Sequence, residues 1–176
     1  MEEVAHGEES AFVRALIDPL AEAGVWRCRT RINKWNRNED FEAGFDPDDV
    51  FEDEGNLLIN AGINLMENLL IGAGGTAYTT AANAALAVGS SAAGAAATET
   101  TLDTELDRKV ATAVVSGQTV TFQATFNDND SQGAWEEAGV LNNAAAAGTL
   151  LNHKVTPLGT KGAGATWVLT MAITIA

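Results

Sequence analysis

A chain of 176 residues, 46 % of them hydrophobic, is long enough for one ordinary core, short for two, and too apolar to be disordered throughout. Its formal charge of −14 argues against a nucleic-acid partner, because an acidic surface repels phosphates and offers little counterion release. Every apolar stretch meets polar residues before the roughly 18 that a bilayer span requires, and Met1-Glu2-Glu3 carries acid where a secretory leader carries base. A soluble, unexported protein with no membrane partner is expected.

The scarce chemistry points the same way. Cys28 is the only cysteine, so an internal disulfide and a thiolate metal cluster are both excluded. His6 and His153 lie far apart in the chain and leave little material for an imidazole-driven site. Lysine occurs only at Lys34, Lys109, Lys154 and Lys161. High acid with few lysines fits a protein kept soluble in concentrated salt, where screening removes self-repulsion, and a halophilic source is expected.

In chain order, residues 1–24 suggest a helical or extended arm. Ser10 can cap a short amphipathic run in which Phe12, Val13, Leu16 and Ile17 share a face, and Pro19 ends that run or begins another turn. Such an arm suits attachment to a partner, with Phe12 and Leu16 as its candidate contacts. Residues 25–35 alternate as a strand, with Trp26, Cys28, Thr30 and Ile32 on one side and Arg27, Arg29, Arg31 and Asn33 on the other. An acidic run follows, from Glu39 to Glu54. Either it folds over the arginine row within the same molecule, or Arg27, Arg29 and Arg31 meet an acidic patch on a neighbouring subunit.

Residues 56–71 predict a helix capped by Asn56 or Asp53, with Leu58, Gly62, Leu65 and Leu69 beside Ile59, Ile63, Met66 and Leu70 on one broad apolar face. Gly72, Gly74 and Gly75 stop it. That glycine cluster follows a helix and lacks a lysine, so it is not read as a phosphate cradle. Ala85–Gly89 predicts a short buried strand, Ser90–Thr98 a small-residue loop, and Leu102–Arg108 a turn of helix. From Val110 onward the period is two. Strands are expected around Val120–Phe126, over Ala134–Leu141, over Thr149–Val155 with Pro157 closing it, and from Trp167 to the end, with turns at Asn127–Gly133 and Gly159–Gly164.

No GxSxG, HExxH, P-loop or dinucleotide fingerprint occurs, so no catalytic or cofactor-binding residue is assigned. Asp128-Asn129-Asp130-Ser131-Gln132-Gly133 mimics the start of an EF-hand loop, but Gly139 stands where the closing carboxylate belongs. It is read as a polar hairpin loop, and no metal ligand is assigned. The cluster Asp46-Pro47-Asp48-Asp49 with Glu52, Asp53 and Glu54 is either a solvated loop or a trap for a hard cation. Glu136 and Glu137, adjacent in a strand, face opposite ways and make a poor acid–base pair. Trp135 packs in the core or anchors an interface.

Together these features predict a mainly β protein, an antiparallel β-sandwich or partly closed barrel with one packed helix. Residues 1–54 supply the arm, basic strand and acidic loop, and residues 55–176 form the sandwich domain. The later motifs carry a resemblance. Gly55-Asn56-Leu57-Leu58-Ile59-Asn60-Ala61-Gly62-Ile63, Gly74-Gly75-Thr76-Ala77-Tyr78 and Ala85-Leu86-Ala87-Val88-Gly89 come first. Val120-Thr121-Phe122-Gln123-Ala124-Thr125-Phe126, Ala134-Trp135-Glu136-Glu137-Ala138-Gly139-Val140, Leu150-Leu151-Asn152-His153-Lys154-Val155, Pro157-Leu158-Gly159-Thr160-Lys161 and Ala165-Thr166-Trp167 follow in order.

This series resembles a family of tailed-virus virion structural proteins. The resemblance implies a non-enzymatic particle component without cofactors. It would be a capsid decoration, cement or turret-like protein bound to the major capsid protein as a homo-oligomer, or else a minor tail or baseplate protein. A different class is a carbohydrate-binding host-attachment module that stacks sugar on Trp35 or Trp135.

Overall fold

The computed structural model describes residues 26–79, 81–145 and 147–176. The predicted arm, with Phe12 and Leu16, lies outside the described residues. Ten strands make two five-stranded sheets, and every pairing is antiparallel. The first sheet contains β1 (Trp26–Trp35), β2 (Asp49–Glu54), β6 (Thr112–Ser116), β7 (Thr119–Phe126) and β10 (Thr166–Ile175), in the order β2-β1-β10-β7-β6. The second contains β3 (Leu57–Leu58), β4 (Ala85–Gly89), β5 (Glu105–Val110), β8 (Gly133–Leu141) and β9 (Leu150–Lys161), in the order β3-β9-β8-β4-β5. Among the described residues no strand is shared between the sheets, so the fold is a sandwich and not a closed barrel.

The alternation read from β1 and β10 places one face of each strand between the sheets. Cys28 and Ile32 of β1 meet Phe122 and Phe126 of β7 and Trp167, Leu169, Met171 and Ile173 of β10. Leu86, Val88, Trp135, Ala138, Val140, Leu151 and Leu158 come from the facing sheet. Burial pushes the Cys28 thiol up to about 11, as an apolar surround disfavours the thiolate. Residues 26–54 are built into this sandwich, with β1 paired to β10 from Trp26↔Ile175 to Trp35↔Thr166.

The second sheet also buries its outer face. Ala85, Ala87, Leu141 and Leu150 lie beneath Ile59 and Leu102. Helix α2 (Asn60–Leu70) packs on β9, with Ala61 against this outer cluster and Met66 against the inner core; α1 (Asn38–Glu42) is a single short turn that follows β1. The helix starts later than the sequence predicts. Leu57 and Leu58 pair with His153 and Asn152 as a short strand, and Asn56 accepts from the Trp26 indole at 2.9 Å instead of capping. Carbonyls take over the cap, since Ile59 N–H donates to Leu151 O and Asn60 N–H to Ala97 O, satisfying donors that a helix start leaves open. Leu70 is exposed, so the apolar face is narrower than its sequence pattern.

Four further expectations are corrected. Leu102–Arg108 contains no helix; residues from Glu105 onward form β5, a highly charged edge strand. Pro157 does not close its strand. β9 runs on to Lys161, and between the pairs Glu137↔Val155 and Trp135↔Gly159 it carries Thr156, Pro157 and Leu158 opposite Glu136 alone. A bulge of this kind accommodates a proline that has no N–H for the ladder. The turn after it therefore falls at 162–165, not from Gly159. The loop after β7 is no hairpin either, because β7 and β8 belong to different sheets and the chain crosses between them there.

The helix backbone approaches the backbone of β9 closely at Gly62. A methyl added there would sit 2.7 Å from Leu151 Cα and 2.8 Å from its carbonyl oxygen, backbone atoms that cannot rotate away. Gly62→Ala should therefore destabilise the protein by about 1–3 kcal/mol through overpacking, outweighing the helix propensity gained. Gly94→Ala, whose methyl meets nothing within 4 Å, should change stability by less than about 0.5 kcal/mol. Urea unfolding midpoints of the two variants check the contrast.

Candidate functional site

The arginine row projects from the outer face of the first sheet, where β2 brings carboxylates alongside. Arg29 stands opposite Glu54 and Arg31 opposite Glu52 in the strand register, and their side chains pair at 3.1 Å and 2.8 Å. The intramolecular reading of the acidic run is the one observed for these two residues. The exposed pairs contribute little stability. Arg27 is also exposed and lines a shallow hollow with Arg29, Glu54 and Thr174. The acidic segment is mostly strand β2 with anchored side chains: Asp49 pairs with Lys34, Asp53 with Lys154, and Asp48 accepts from Asn36 N–H. The Lys154 ammonium holds the Asp53 carboxyl below its ordinary value and ties the edge of the first sheet to the second.

Trp135 is fully buried. Its ring meets Phe126 and Trp167 edge-on at centroid distances of 4.9 Å and 4.8 Å, and its indole N–H donates to Ser131 O. It therefore offers no surface to a partner, which removes it from the interface candidates. Trp35 is buried too, against Phe41, with its N–H on Phe45 O. Neither tryptophan can act as a sugar-stacking platform in this conformation.

The 127–133 loop resembles a calcium loop in sequence, yet lysines occupy its acceptors. Lys161 is buried and donates to Asn127 O at 2.6 Å. Lys109 pairs with Asp130 at 2.7 Å, and Asp130 also accepts from Asn127 N–H. Burial lowers the Lys161 ammonium from its usual range.

The most concentrated polar chemistry lies elsewhere, on the outer face of the second sheet. His153 of β9 sits between two carboxylates, with Nδ1 at 2.5 Å from Glu99 Oε2 and Nε2 at 2.8 Å from Glu137 Oε2. The side chains of His153 and Glu137 are both 0 % exposed. A neutral imidazole donates from one nitrogen only, so these two contacts require two protons among the three groups.

Glu137 also accepts from the N–H groups of Ser91, Asp103 and Thr104, while Glu99 Oε1 accepts from Ala96 N–H. All four carboxylate oxygens are thereby occupied. Gly89, the cross-strand neighbour of Glu137, makes the room: a methyl there would lie 2.3 Å from Glu137 Oε1. The arrangement fastens the loop of residues 90–104 over the sheet.

An apolar hollow of about 490 Å³ opens at one end of the sandwich, lined in part by Trp26, Met66, Tyr78, Val115, Phe122 and Ile175. Burial raises the Tyr78 hydroxyl well above its ordinary value, and that hydroxyl donates to Thr149 O. No family model, curated protein or solved structure matches the chain.

Sequence reasoning missed the Glu99–His153–Glu137 cluster because 54 positions separate Glu99 from His153. One signal was present. Glu137 lies in a run whose neighbours Ala138, Gly139 and Val140 are apolar or small, and a carboxylate inside a buried strand needs dedicated partners. Removing it leaves three backbone donors and the Nε2 of His153 unpaired. Glu137→Ala should cost about 3–5 kcal/mol, as for other broken buried charge pairs. Glu99→Ala should cost less, because its side chain keeps 16 % exposure and water can replace it. Chemical denaturation of both variants gives the ranking.

Proposed function

We propose that this protein is a structural component of a tailed-virus particle, a decoration protein that binds the major capsid protein on the outside of the head. The ordered series of motifs from Gly55 to Trp167 supports the family, and the acidic composition suits an outer surface better than one facing packaged DNA. The observation that carries the reading is the inward use of polar chemistry. The Glu99–His153–Glu137 cluster, the Lys154–Asp53 pair and the Lys161 contact each fasten one element to another. A rigid sandwich of this kind suits work done by shape and adhesive surface. Binding to the assembled shell would stabilise it by mass action.

Immunogold labelling of purified particles with antibody against the chain tests the assignment. Label distributed over the head is expected. Label confined to the tail would overturn the decoration role in favour of a tail or baseplate subunit, and particles without label would overturn the virion reading altogether.

A further inference from the structure

Two five-stranded sheets present four edge strands, and the sequence treats one of them differently. An open edge offers unpaired N–H and C=O groups to any passing strand, and proteins that remain monomeric protect such edges with charge, brevity, proline or bulges. Strand β2 carries four carboxylates, Asp49, Glu52, Asp53 and Glu54. Strand β3 is two residues long. Strand β5 carries Glu105, Asp107, Arg108 and Lys109, and those charges are fixed in place by the pairs Arg108–Glu105 and Lys109–Asp107.

Strand β6 has none of these protections. Its five residues, Thr112-Ala113-Val114-Val115-Ser116, include no charge and no proline. It pairs with β7 in unbroken register from Thr112↔Gln123 to Ser116↔Thr119. Among the described residues its other side has no strand partner. Val114 and Val115 are 61 % and 71 % exposed, on opposite faces of the sheet. A β-branched pair at this exposure fits a strand that becomes internal on association.

We propose that β6 is a homodimer interface, pairing antiparallel with β6 of a second copy about a two-fold axis through Val114. Self-pairing sets Val114 against its own counterpart, Thr112 against Ser116 and Ala113 against Val115, so each face meets like chemistry and no side-chain charge is enclosed. An isologous contact of this kind closes on itself. It joins the first sheets of two molecules into one continuous sheet through main-chain hydrogen bonds. Charge selects the same edge. Two molecules of charge −14 bring facing carboxylates together if they approach through β2, and an uncharged strand is where that local repulsion is smallest. Val115 also lines the apolar hollow at the end of the sandwich, so the second copy would shield the rim of that hollow. The pairing is independent of which larger assembly the protein joins.

Light scattering of the full chain across a concentration series tests the pairing, with Val114→Lys as the disrupting variant. The parent chain should be a dimer, and Val114→Lys, which opposes like charges at the two-fold, should raise the dimer dissociation constant by at least about tenfold. Val114→Cys supplies a second readout, since Cys28 is buried and the new thiol would face its own counterpart. Oxidation should convert this variant to a covalent dimer, whereas Gln123→Cys on the neighbouring strand should not cross-link. A parent chain that stays monomeric, a Val114→Lys dimer of undiminished affinity, or equal cross-linking at both positions would overturn the pairing. A monomeric parent that still labels virus heads would leave the particle role standing.

Discussion

A carboxylate with no exposure in the middle of a sheet is the constraint around which the second half of the molecule is arranged. Glu137 cannot be buried there without hydrogen-bond partners, and the backbone of its own sheet cannot supply them, because its side chain leaves the sheet plane. The donors come from a loop that crosses above it: the N–H groups of Ser91, Asp103 and Thr104, with His153 beside them. A run of alanine, glycine, serine and threonine between 90 and 104 has little apolar surface with which to hold itself down. The buried acid supplies what the composition lacks. The same loop then gives Ala97 O to the start of α2 and Leu102 to the apolar layer beneath it, so the helix, loop and sheet are coupled through one side chain.

The first sheet is held by a different means. Its centre is the pairing of the first described strand with the last, β1 with β10, over ten registered positions. The aromatic contacts of Trp135 with Phe126 and Trp167 then bind it to the second sheet. Polar links reinforce the margins, with Lys154 reaching Asp53 on one side and Lys161 reaching the 127–133 crossing on another. The lysines, few in number, thus join elements distant in sequence. The arginines of β1 lie on the open face, where solvent weakens the pairs that Arg29 and Arg31 make.

Period-two alternation made β7, β8 and β10 legible in the sequence, and the small apolar run of β4 was equally plain. Strands β7 and β10 alternate between buried and less buried side chains, whereas β4 is buried throughout and reads as an unbroken run of small and apolar residues. The charged strand β5 was hidden because four of its six residues, Glu105, Asp107, Arg108 and Lys109, are charged and no apolar alternation marks it. The length of β9 was hidden by Pro157, whose effect a bulge cancels. Asn56 read as a helix cap because its indole partner, Trp26, is 30 positions away. The buried cluster needed the same kind of long-range knowledge, since the meaning of Glu137 depends on a loop that composition describes only as small and polar. Arg27, Arg29 and Arg31 were legible as an exposed row. The partners of Arg29 and Arg31 became definite only once β2 was placed in register with β1.

Amide hydrogen exchange tests most directly the claim that Glu137 holds the 90–104 segment in place. The amides of Ser91, Asp103 and Thr104 should exchange as slowly as that of the buried Val140 in β8, opening only with the surrounding sheet. Exchange of those three amides at the rate of an unstructured loop, while Val140 stays protected, would contradict the account.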